Sequence, residues 1–125
     1  KHWPEMVASE ISETVAMMRG LMASGMDVTL LTNFAADTFR EAQVMYPFLT
    51  ETRGVTVSGE VKVLKPDPQI YRIHTEGFSL DPAATLFIDD SAANVEGAKA
   101  FGWQAVLFEG PGKLRRDLST FGLAV

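Results

Sequence analysis

The stretch Thr85-Leu-Phe-Ile-Asp-Asp-Ser-Ala-Ala-Asn94 decides how this chain folds. Leu86, Phe87 and Ile88 form an apolar run of β character that delivers two adjacent carboxylates, Asp89 and Asp90. A helix start follows at once, and the helix from Ala93 to Phe101 is stopped by Gly102. Like charges side by side repel each other and resist desolvation, so a paired acid at a strand tip calls for a positive charge beside it. Mg²⁺ prefers oxygen ligands and usually keeps several waters, which makes it the natural candidate. The plainer alternative is that Asp89 and Asp90 only cap the following helix, sharing that role with Ser91.

Working outward, the same alternation continues in both directions. Val7 to Ser24 carries Val7, Ile11, Val15, Met18 and Met22 at helical spacing, with Gly25 as a stop. Asp27 to Thr32 reads as a short buried strand, Ala35 to Met45 as a helix ended by Pro47, and Val55 to Val57 as a weak strand before a Ser58-Gly59 turn. Lys65-Pro-Asp-Pro68 opens a helix through Tyr71 and Ile73 to about Gly77. Gln104 to Phe108 is a further buried strand, and Lys113 to Phe121 a last helix. Strands alternating with helices imply right-handed crossovers and a parallel sheet covered on both faces.

In such sheets, ligands gather at the carboxyl ends of the strands. That rule brings Thr32 and Asn33 from one strand, Asp89 and Asp90 from another, and Lys65 from the loop between them toward one edge. Hydroxyl and amide donors suit phosphate oxygens, and an ammonium neutralises both a phosphoryl group and a nearby carboxylate. A Mg²⁺ ion held by carboxylates polarises the phosphoryl oxygen. The set is coherent for phosphoryl transfer and lacks one member, a nucleophile.

Composition narrows the field. The 125 residues suit one domain, 46% hydrophobic and 22% charged content is that of a globular protein, and a net charge of −5 disfavours nucleic acid or an anionic membrane as partner. The absence of cysteine excludes disulfides, thiolate metal sites and a cysteine nucleophile, and fits a reducing, cytoplasmic setting. No apolar run approaches the ~20 residues of a membrane span.

The order Leu30-Leu-Thr-Asn33, Lys65-Pro-Asp-Pro-Gln-Ile-Tyr71, Leu86-Phe-Ile-Asp-Asp-Ser-Ala-Ala-Asn94-Val-Glu-Gly-Ala98 resembles the second, third and fourth motifs of the haloacid dehalogenase (HAD) superfamily. The resemblance implies a Rossmann-like, three-layer α/β/α core with a parallel sheet, and Mg²⁺-dependent hydrolysis of a small phosphorylated metabolite through an aspartyl-phosphate. Carried over by position, Thr32 and Asn33 bind the phosphate, and Lys65 neutralises the phosphoryl oxygens and the nucleophile. Asp90 is then the principal Mg²⁺ ligand, Asp89 a ligand or its neighbour, and Asn94 a hydrogen-bonding support.

The family's first motif, Asp-x-Asp-x-Thr/Val, carries the nucleophile and the general acid/base and occurs nowhere in this sequence. The resemblance therefore places residues 1–125 as the C-terminal part of a HAD core, with residues 1–25 as a helix returning from a cap. The motif-bearing strand and the cap are expected upstream, and the chain alone is expected to lack the nucleophilic step. Metal-independent dehalogenases of the superfamily tend to lack the double acid, so Asp89-Asp90 favours a phosphatase over a 2-haloacid dehalogenase. A non-catalytic HAD-like binding or regulatory module is a further alternative, opposed by the intact Lys65, Asp89 and Asp90. Outside the motifs, His2 and His74 are expected at the surface, Trp3 and Trp103 in packing, and Arg115-Arg116 on a solvated helix face.

Overall fold

A computed structural model describes residues 14–33, 36–45 and 50–123. Within these, a helix α1 covers residues 14–23. The order then runs β1 (Leu30–Thr32), α2 (Ala36–Met45), β2 (Val55–Val57), α3 (Ser58–Val61), α4 (Pro68–Gly77), a 3-10 turn (Pro82–Ala84), β3 (Leu86–Asp89), α5 (Ala92–Phe101), β4 (Gln104–Leu107) and α6 (Pro111–Thr120). The expectations that rest on residues 1–13, on Trp3 and His2 among them, and on Pro47 lie outside the described residues. The chain divides into two compact units, one of Thr29–Leu107 and one of Lys1–Val28 with Phe108–Val125. The second unit contains α1, which buries Met17, and α6, which buries Leu114 and Leu118 while Arg115 and Arg116 stay exposed.

The first unit carries the α/β fold. β1 pairs in parallel with β2 (Leu30 opposite Val55, Thr32 opposite Val57), and β3 with β4 (Leu86 opposite Gln104, Asp89 opposite Leu107). Parallel pairs require a crossover, and each gets one containing a helix: α2 between β1 and β2, α5 between β3 and β4. The sequence predicts one parallel sheet; among the described residues there are two separate pairs. The ammonium of Lys65 reaches from one pair to the other, donating to the carbonyl of Leu31 on β1 and to the carboxylate of Asp89 on β3.

The helix boundaries follow local chemistry. Asp67 caps α4 by accepting from the Gln69 N–H at 2.9 Å, with Pro68 in the first turn where a missing N–H costs nothing. Ser91 caps α5 by accepting from the Asn94 N–H, and Gly102 ends the helix in the left-handed region at φ 119°. Two expectations are corrected. Ser58-Gly59 opens the one-turn helix α3, not a simple turn, and Lys62 closes it in the left-handed conformation. His74 is not on the surface. It is 3% exposed, its Nε2 2.8 Å from Thr29 Oγ1 and its Nδ1 2.7 Å from Thr56 Oγ1. An imidazole on the inner face of α4 can be buried there because two hydroxyls, distant in sequence, meet its two ring nitrogens.

Behind the strand tips sits one aromatic core. Ile70 and Tyr71 of α4, Phe87 of β3, Val95 and Ala98 of α5, Trp103 and Ala105 are buried together. Tyr71 meets Phe87 and Trp103 edge-on, with ring centroids 5.8 and 5.0 Å apart, the favoured geometry for aromatic pairs. Trp103 is packed as expected, and its indole N–H donates to Thr75 Oγ1 at 3.0 Å.

Candidate active site

β1 ends in Thr32, and Asn33 follows it. Thr32 is half-buried at the strand tip. The Asn33 side chain turns to residue 65: its Oδ1 accepts from the Lys65 main-chain N–H at 2.9 Å, and its Nδ2 donates to the Lys65 carbonyl at 3.3 Å. Lys65 leads into α4 through a cis peptide to Pro66. Its Nζ donates to Asp89 Oδ2 at 2.6 Å and to Leu31 O at 3.3 Å, and lies 5.5 Å from the centre of the Phe87 ring. Residues from the ends of β1 and β3 and from the loop before α4 therefore meet at one edge.

The Lys65 and Asp89 side chains are only 9% and 7% exposed, so this is a buried ion pair. Such a pair persists only when the remaining lone pairs of the carboxylate are also met. Asp89 Oδ1 accepts from the Ser91 N–H at 2.9 Å, and Oδ2 receives a longer bond from Asn94 Nδ2 at 3.4 Å. Burial pushes the Asp89 carboxyl up, but hydrogen bonds from Lys65 and the Ser91 N–H, with the lysine charge, outweigh it and hold the group below its usual range. Asp90, one residue on, is exposed. Asp89 is thus paired with Lys65, while Asp90, whose side chain neighbours that of Asp89, is exposed to solvent.

Two residues that the motif reading left without a role complete the site. Tyr71 Oη donates to the Asn94 carbonyl at 2.8 Å, and burial, with the nearby Asp89 charge, pushes its phenol up to about 12. Gly97 of α5 lies against the loop: a Cβ there would stand 2.8 Å from Pro66 Cβ, 3.2 Å from Pro66 O and 3.2 Å from Tyr71 Oη. The spacing Lys65 to Tyr71, one loop and one helical turn, is the sequence signal that would have placed the phenol behind the lysine. Gly97 inside a helical pattern is a second such signal, since an interior glycine with no cap to serve often marks close backbone approach.

Among the described residues, no group of three or more His, Cys, Asp or Glu side chains is placed to hold a metal. A site built here would draw on Asp90, with Asp89 beside it, and fill its other positions from elsewhere. That fits Mg²⁺, which is commonly bound by one or two carboxylates plus waters and phosphate oxygens.

Residues 6–102 match the family model of the haloacid dehalogenase-like hydrolases, and the chain belongs to that family. It is 32% identical over 103 residues to a phosphatase of Mycobacterium tuberculosis, covering 78% of this chain and 48% of the relative. It is 29% identical over 99 residues to (S)-2-haloacid dehalogenase 1 of a Pseudomonas strain, covering 78% and 43%. The chain therefore spans less than half the length of these curated relatives. Among solved structures, a HAD family enzyme of Bacteroides thetaiotaomicron in complex with magnesium and inorganic phosphate superposes with a TM-score of 0.69 at 26% identity, over 77% of this chain and 51% of that one. The fold is the HAD-like α/β fold, and the family is one of hydrolases with both phosphatases and dehalogenases among its members. No helix among the described residues is long and apolar enough to cross a membrane.

Proposed function

We propose that the protein is a Mg²⁺-dependent phosphatase acting on a small phosphorylated metabolite. The observation that carries this is the Lys65–Asp89 pair with exposed Asp90 beside it. A haloacid substrate brings a single carboxylate and needs no metal, whereas a phosphate monoester brings two negative charges and is served by a cation held on carboxylates. The resemblance to a M. tuberculosis phosphatase and to a HAD enzyme holding magnesium and phosphate supports the same choice.

In this reading Thr32 donates its hydroxyl to a phosphoryl oxygen. Lys65 offsets the charge of that oxygen while its other contact holds Asp89 ionised. Asp90, with Asp89, would hold Mg²⁺, whose chemistry when bound is to polarise the phosphoryl group. Asn94 and the Ser91 N–H keep the Asp89 carboxylate in place. The attacking carboxylate is contributed by sequence outside these 125 residues, in which no Asp-x-Asp occurs. Among the described residues β1 pairs only with β2 and β3 only with β4, which is compatible with a further strand between the two pairs.

The test is hydrolysis of p-nitrophenyl phosphate by the full-length protein. Activity is expected to require Mg²⁺, to vanish in Asp90→Ala or excess EDTA, and to fall by about a hundredfold or more in Lys65→Ala. Undiminished turnover in Asp90→Ala or in EDTA overturns the metal assignment, and turnover of 2-haloacids in its place selects the dehalogenase alternative.

A further inference from the structure

We propose that Asn33 and Gly97 are positioning residues for Lys65, gripping the 65–66 segment from opposite elements so that its ammonium stands on Asp89. The inference rests on the phosphatase reading for what Lys65 does, and departs from the assignment of Asn33 as a phosphate ligand. Asn33 presents an amide to an amide. Its Oδ1 takes the N–H of residue 65 and its Nδ2 gives to the C=O of the same residue. A side chain meeting both main-chain groups of one residue fixes the direction in which that residue's Cβ leaves the backbone. For a lysine, with its flexible four-carbon stem, that direction sets where the ammonium can arrive.

Gly97 works from the other side. Pro66 lies so close that the Cβ of any other residue would stand 2.8 Å from its ring and 3.2 Å from its carbonyl oxygen. Glycine lets α5 rest directly on the loop, and α5 is the helix whose start carries Ser91 and Asn94, both hydrogen-bonded to Asp89. Asn33 ties residue 65 to the tip of β1, and Gly97 lets α5 back residue 66. The two halves of the site, Thr32 on one side and Asp89-Asp90 on the other, are thereby set at a fixed separation through two residues of loop. A shift of about 1 Å in a charged group can cost a hundredfold in a reaction that depends on orientation.

Asn33 Nδ2 retains a second hydrogen, so direct contact with phosphate has to be separated from action through Lys65. A double-mutant cycle does so, using inorganic phosphate as probe with Mg²⁺ present and calorimetry on the full-length protein. Asn33→Ala is expected to weaken phosphate binding about tenfold when residue 65 is lysine, and less than about twofold in the Lys65→Ala background. Equal losses in both backgrounds make Asn33 a phosphate ligand in its own right and overturn the proposal.

Amide hydrogen exchange at Lys65 gives a second readout, independent of any ligand. Asn33→Ala is expected to speed it by about tenfold or more and Gly97→Ala to speed it as well. The isosteric Asn33→Asp, which keeps the acceptor for that N–H and loses the donor to the carbonyl, is expected to fall between. Unchanged exchange in Asn33→Ala and Gly97→Ala defeats the proposal whatever phosphate does. If Lys65→Ala binds phosphate as well as the parent, the phosphatase reading falls, and the exchange rates still decide the grip.

Discussion

The chemistry of the site turns on a lysine that has two employments, a carboxylate and a main-chain carbonyl. Removing it separates them. In Lys65→Met the stem is replaced by a thioether of similar reach, and Asp89 is left buried without its cation. Breaking a buried pair from one side costs about 3–5 kcal/mol, and denaturant melts at neutral pH should show a loss of that order. The pH dependence should also weaken. In the parent the Asp89 carboxyl is held low, so its contribution is present above the ordinary value of 3.8 and lost as pH falls through the depressed one. In Lys65→Met the lysine's hydrogen bond and charge no longer oppose burial; only the Ser91 N–H and neighbouring groups do. The carboxyl therefore moves up from its depressed position, and the variant should lose less stability in acid than the parent. A carboxyl titration of Asp89 followed by carbon NMR checks the direction. Residue chemistry of this kind was partly open to sequence reasoning. Two acids in a row demand a cation, and the spacing of the motifs named the lysine. It gave no sign that Asn33 would spend its amide on a backbone, because a main-chain partner leaves no mark in the side-chain pattern.

At the scale of elements, α5 carries the sharper test. Replacing an interior helical glycine by alanine ordinarily stabilises by up to about 1 kcal/mol. At Gly97 the new methyl meets a proline ring and its backbone carbonyl, neither a flexible side-chain tip, so Gly97→Ala should instead destabilise by about 1–3 kcal/mol. Gly77, exposed at the end of α4, is the control. A Cβ there meets nothing within 4 Å, and Gly77→Ala should be neutral or stabilising. Equal effects at the two glycines in thermal melts would remove the close approach from the argument. The elements themselves were legible from apolar runs and caps, to within a residue or so for β3, α4 and α5. The short strand β1 begins three residues later than its apolar pattern suggests. His74 was misjudged for a different reason. A lone histidine on a helix says nothing of its partners when they lie 45 and 18 residues away. Only the folded packing of α4 on β1 and β2 brings Thr29 and Thr56 to its two nitrogens.

For the molecule as a whole, the buried titratable groups of the Thr29–Leu107 unit set two edges of a pH window. The lower edge is that of Asp89. The upper edge belongs to Tyr71, whose phenol, pushed up by burial and then by Asp89, titrates at about 12 instead of 10.0. A raised acid of this kind contributes stability below its unfolded value, lost as pH rises through its folded one. Stability should therefore decline between pH 10 and about 12, and Tyr71→Phe should flatten that decline; absorbance at alkaline pH reads the phenol directly. The parallel α/β architecture followed from alternation alone. The division into two strand pairs did not, because pairing partners are a property of the folded neighbourhood and not of any one segment.

Trp103 is the only tryptophan among the described residues, and it lies 4% exposed with its ring 5.0 Å from that of Tyr71 and 5.9 Å from that of His74. Tyr71 in turn holds the first turn of α5 by the Asn94 carbonyl. The domain thus contains its own optical gauge: with Trp3 changed to phenylalanine, the colour and intensity of indole emission report whether the ground under the charged edge is firm, with no label attached.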